Sequence, residues 1–180
     1  MKSLALCVAR VGVAAWVGAA VLFVVVGVRE VTSPHFSSEV RDHLAAVRFP
    51  AYYVCGATLI GVAWLGTLAA SGHPQLSRCR WLFAAALLAL ALGEMAFDYL
   101  WIYKPLEALI TPAGKPRTME FMQLHEWSTR VNAANVLLCA VAAGVLSWPG
   151  RDAWFCREPK GSARHAGDLE IERAPSGRGE

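Results

Sequence analysis

The sequence predicts an all-α membrane protein, a four-transmembrane-helix bundle with a short interfacial amphipathic helix in loop one. Three observations carry that expectation. Hydrophobic residues make up 56% of the 180-residue chain and charged residues only 17%, whereas a soluble domain carries about 25% charged residues. The apolar residues gather in four runs, at 11–28, 51–70, 81–102 and 131–148. Each run is close to the roughly 20 residues that a helix needs to cross about 30 Å of hydrocarbon. Residues 1–150 therefore read as one transmembrane domain whose first partner is the lipid bilayer. Residues 151–180, rich in charge, Gly, Ser and Pro, read as a mostly disordered cytoplasmic tail.

The first run follows Lys2 and Arg10, as a signal peptide would. A cleavable signal has a shorter apolar core and a small-residue cleavage site. Here the run reaches Val28 and ends in Val-Arg29-Glu30, which reads as a retained anchor. In loop one, Phe36, Val40, Leu44 and Val47 recur at helical spacing among Ser37, Ser38, Glu39, Arg41 and Asp42. That pattern fits a helix lying in the interface. Pro50 suits the first turn of the second span. Loop two, Ser71 to Arg80, is short, so the second and third spans are expected to be antiparallel neighbours.

Pro112, Gly114 and Pro116 break loop three, after which Thr118 to Trp148 reads as one helix of roughly 46 Å. Trp101, Tyr103, Trp127, Tyr52 and Tyr53 are placed at one membrane interface, and Trp81 and Trp148 at the other. Small residues four apart, at Ala14/Gly18, Ala15/Ala19, Ala57/Gly61 and Ala140/Gly144, permit close helix approach. They leave open an oligomer formed through these helix faces.

Orientation follows from the 17 lysines and arginines. Ten lie on the side of the N-terminus and seven on the other, which favours both termini in the cytoplasm of a bacterial-type membrane. The five cysteines form no C-x-x-C pair, so no zinc ribbon or thioredoxin-like motif is expected. The net charge of +3 comes with no basic patch interleaved with aromatics, so no nucleic-acid partner is expected.

The chemistry-bearing residues lie inside the apolar runs. Glu94 and Asp98 stand one turn apart on the third span, and an acidic residue at a helix centre costs about 2.5 to 3.5 kcal/mol on insertion scales. On the fourth, His125, Ser128, Asn132 and Asn135 share a helix face. Glu94 and Asp98 lie about 4 and 10 Å from the middle of their span, and Asn135 and Asn132 about 7 and 11 Å from theirs. The matching depths predict a polar seam of Glu94 and Asp98 facing Asn135 and Asn132, with Arg130 near Asp98 at the rim. Its two readings are a structural clasp and a proton-, ion- or ligand-handling site.

His125 and Ser128 form an interfacial motif. His35, His43 and His125 share the same predicted side and are the candidates for a metal, although no H-x-x-x-H or H-E-x-x-H spacing supports them. No catalytic residue is assigned, because no G-x-S-x-G, phosphate loop or dinucleotide fingerprint occurs.

Arg10, Trp16-Val-Gly18, Phe36, Phe49-Pro50 with Tyr52-Tyr53, and the run Phe121, His125, Ser128 and Asn132 together resemble the transmembrane protein 205-like family, an integral membrane domain of unknown function. The resemblance covers roughly residues 8–148. It implies a four-helix membrane fold, distantly similar to copper-resistance D-type membrane domains, and no established activity. Glu94, Asp98, Asn135 and the long third loop have no place in that family pattern. The leading expectation is a non-enzymatic structural or transport-associated membrane protein. A metal- or haem-handling membrane protein and a membrane oxidoreductase subunit are the alternatives, with copper and haem left open and no cofactor assigned.

Overall fold

Four long rods account for nearly all of the described chain. The computed structural model describes residues 1–149, and the expected tail at 151–180 lies outside the described residues. Helix α1 spans Lys2–Thr32, α2 Ser38–Ala69, α3 Arg78–Phe97, α4 Lys104–Leu109 and α5 Met119–Ser147. A π-helical turn, Asp98–Tyr103, joins α3 to α4 so that Arg78–Leu109 is one continuous rod. No strand occurs among the described residues. The rods are 31, 32, 32 and 29 residues long and are long and apolar enough to cross a membrane.

Three of the rods begin at side-chain caps and not at the first apolar residue. Ser37, Ser77 and Thr118 accept from the backbone N–H groups of Val40, Arg80 and Phe121, satisfying donors that the first turn leaves free. At the far end of α5, Arg10 Nε donates to the Leu146 carbonyl at 2.8 Å. Arg80 Nη2 donates to those of Val145 and Trp148 at 2.6 Å each. Two cations thus meet the negative end of the helix dipole and its unpaired carbonyls.

Loop one departs from expectation in one respect. Its helical stretch is not a separate element but the first third of α2, which continues through Pro50 without a break. Pro50 therefore sits inside a helix, not in a first turn. A proline there removes one backbone bond, a loss that neighbouring helices can absorb in a membrane bundle. Phe36, Val40, Leu44 and Val47 are exposed, so the apolar stripe turns away from the protein. The residue that this stretch buries is Asp42.

The rods form a ring in which α1 and α3 each pack on α2 and α5. The core between them is built from small and medium side chains, among them Ala9, Val13, Ile60, Ala63, Leu88, Ala91, Ala142 and Leu146, with Trp16 at its centre. Outside, Val21, Leu22, Val24, Val25, Leu65, Phe83, Leu90 and Leu137 are all exposed. An apolar belt of this extent is rare on a water-soluble monomer and ordinary in lipid, where the surroundings are as apolar as leucine.

Helices α1 and α2 touch backbone to backbone. A Cβ on Gly66 would stand 2.9 Å from the Ala5 carbonyl oxygen, and one on Gly12 3.2 Å from that of Leu59. The small-residue pairs singled out in the sequence are elsewhere. Around Gly18, Gly61 and Gly144 nothing lies within 4 Å of an added Cβ. Those faces point out of the bundle.

Two ion pairs lock the end that carries loops one and three. Asp42, 3% exposed, pairs with Arg117 and accepts from the Gly114 N–H at 2.9 Å, tying loop three to the start of α2. Arg48 pairs with Glu30 across α1 and α2, its guanidinium 4.7 Å from the centre of the Phe23 ring.

Candidate functional site

The π-helical turn sets the geometry of the polar interior. In π geometry each carbonyl bonds five residues on, which widens the turn and shifts the face presented by the residues C-terminal to it. Asp98 opens that turn and is 1% exposed. Its Oδ2 accepts from the Tyr53 hydroxyl at 2.5 Å and from Asn132 Nδ2 at 2.7 Å. The Ser128 hydroxyl lies 3.5 Å from the same oxygen. Asn132 in turn accepts from the Tyr52 hydroxyl at 3.1 Å. One carboxylate oxygen therefore gathers donors from α2 and α5 onto the third rod.

One turn deeper, Asn135 extends the network to α1. It is 2% exposed, donates to the Ala91 carbonyl at 2.8 Å and accepts from Trp16 Nε1 at 3.3 Å. All four rods contribute, and every contributing position lies near the middle of its rod. Buried polar groups in such a place are stable only when paired.

Aromatic rings wall the network. Trp16 and Phe23 sit 4.9 and 4.3 Å from Tyr52, and Tyr99 and Tyr103 each 5.1 Å from Tyr53. These spacings suit tilted and edge-on ring pairs. Tyr52, Tyr53 and Tyr103 are buried here, not placed at a rim as interfacial markers. Trp101, Trp127 and Trp148 are exposed.

Asp98 meets Asn132 directly, and the Asn135 side chain, whose amide bonds to Ala91 and Trp16, faces the half-buried Glu94. Arg130 is not at Asp98. It pairs with Glu126 at 2.6 Å, both side chains 64% exposed. Arg130 stands two positions before Asn132, which turns it to the far side of α5. His125 is exposed and stacks on Phe121 with centroids 5.8 Å apart. His35 and His43 are exposed as well. Among the described residues no group of three or more His, Cys, Asp or Glu side chains is placed to hold a metal ion, so the three histidines do not form the cluster that the metal-handling alternative requires.

Trp16, Tyr52 and Tyr53 are network residues that the polar pattern of the sequence missed. Their signal was the ring type itself: a Trp N–H or Tyr O–H inside an apolar helix needs a partner.

Compared with protein-family models, curated proteins and solved structures, the chain gives no match.

Proposed function

We propose that this chain is a non-enzymatic integral membrane protein, structural or transport-associated, whose bundle is keyed together by the network centred on Asp98. The observation that supports it is the convergence of Tyr53, Asn132 and Ser128 on a single oxygen of Asp98. Hydrogen bonds between membrane helices contribute about 0.6 kcal/mol on average and up to about 1.7, so a shared acceptor suits a keying role. The resemblance to the transmembrane protein 205-like family belongs to this reading. Trp16, Tyr52, Tyr53, Ser128 and Asn132, all within the motifs that carry it, are the side chains that build the network around Asp98 and Asn135.

Thermal unfolding of purified protein in detergent tests the keying role. Asp98→Leu is expected to lower the midpoint strongly, and Glu126→Leu, on the exposed face, to leave it unchanged. Equal effects would count against it.

The orientation we propose puts both termini in the cytoplasm. A reporter active only there, fused after Glu180, is expected to be active. Activity from an export-only reporter reverses the orientation.

A further inference from the structure

Two buried oxygens in the bundle have no partner. Asp98 Oδ1 and Glu94 Oε2 are both shielded from solvent and neither accepts a hydrogen bond. They belong to carboxyl groups at i and i+4, which on a helix are neighbours. All the donors that reach Asp98 go to its other oxygen. An unpaired oxygen is therefore left on a side chain only 1% exposed.

No cation among the described residues compensates the pair. The four salt bridges join Arg48 to Glu30, Lys104 to Glu107, Arg117 to Asp42 and Arg130 to Glu126. The titratable groups facing the pair are Tyr52 and Tyr53 from α2 and Cys139 from α5. From α1 comes the indole of Trp16, bonded to Asn135. A desolvated carboxylate with no countercharge is costly and must acquire one or be neutralised. A hard metal cation needs about six oxygen ligands, and with Asp98 Oδ2 engaged by three donors the pair has too few. A proton needs one oxygen to bond and one to accept.

We propose that Glu94 and Asp98 form a proton-binding site inside the bundle. The pair takes up one proton from hydronium, breaking an O–H bond there and making one on a carboxyl oxygen, and the reverse step returns the proton to water. Of the polar side chains on Asp98 Oδ2, Ser128, 3.5 Å away, and Asn132 are half-buried, whereas Tyr53 is buried. The π-helical turn at Asp98 adds to the case, since such turns recur at functional sites.

This proposal rests on the reading of the chain as a membrane bundle, and its test is separate from the stability test. Infrared difference spectra of protein in lipid vesicles, titrated with pH, read protonated carboxyl groups directly. The expected result is a titrating carboxylic-acid C=O band that shifts down in D2O. It is lost in E94Q and in D98N and kept in E126Q, with circular dichroism confirming that each variant is helical. If D98N does not fold, E94Q and the wild-type band decide. Carboxyl bands that all survive E94Q overturn the proposal. So does a band abolished when sodium replaces choline as the cation in the buffer, which would mark a metal-cation site. A missing band with Asp98→Leu still destabilised sinks the proton site and leaves the keying role intact.

Discussion

The Tyr53 hydroxyl on α2 reaches Oδ2 of Asp98 on the π-helical turn at 2.5 Å, the shortest link between the second and third rods in this network. That distance is at the short end of the range for an O–H donor and an oxygen acceptor. Tyr53→Phe removes the donor and keeps the ring packed edge-on against Tyr99 and tilted against Tyr103. It is expected to destabilise the folded protein by about 1 kcal/mol, within the range of membrane interhelical bonds. Denaturation in mixed micelles measures this.

Gly66 offers a steric test. Its missing Cβ leaves room for the Ala5 carbonyl, a backbone atom that cannot swing aside. Gly66→Val is expected to push α1 off α2 and destabilise by about 1–3 kcal/mol or more, as overpacking does. Gly144→Val meets open space on the outer face and is expected to leave the unfolding midpoint nearly unchanged. Equal losses would place the close contact wrongly.

Asp42 holds loop three through Arg117 and the Gly114 N–H. Asp42→Ala leaves both donors without that acceptor and frees the segment around Lys115 and Arg117. Trypsin is expected to cut after Arg117 several-fold faster than in the parent, Pro116 barring the bond after Lys115, with the helices still intact by circular dichroism. Unchanged cleavage would mean that the pair does not restrain the loop.

Arg80 caps α5 through two carbonyls, those of Val145 and Trp148. In Arg80→Ala the last turn of α5 is expected to fray. Amide exchange should rise over residues 145–148 and stay unchanged at Asn135.

The four rods were legible in the sequence because hydrocarbon thickness sets the length of an apolar run. The Asp98–Asn132 contact was legible for a related reason: two polar groups at matching depth in apolar helices have few other partners. Arg130 was misplaced because depth alone ignores which way a side chain points around the helix. In the sequence Tyr52 and Tyr53 fit an interface, because the same amphipathic ring serves a rim and a buried network equally well. Pro50 read as a boundary, since local chemistry says nothing of the tertiary support that lets α2 continue through it. The π-helical turn left no periodic trace, and it changes the face that every residue after Asp98 presents. Gly12 and Gly66 carry the backbone contact although neither belongs to the four-residue pairs that drew attention. Which small residues face inward depends on how the helices rotate against one another.

The keying role of Asp98 is tested most directly by a double-mutant cycle between Tyr53→Phe and Asp98→Ala, read by unfolding free energy in lipid-like micelles. The expected result is a coupling of about 1 kcal/mol or more, because either substitution alone already breaks the shared bond. Effects that add within about 0.3–0.5 kcal/mol would show that the two residues do not act together and would contradict the network as the device that joins the helices.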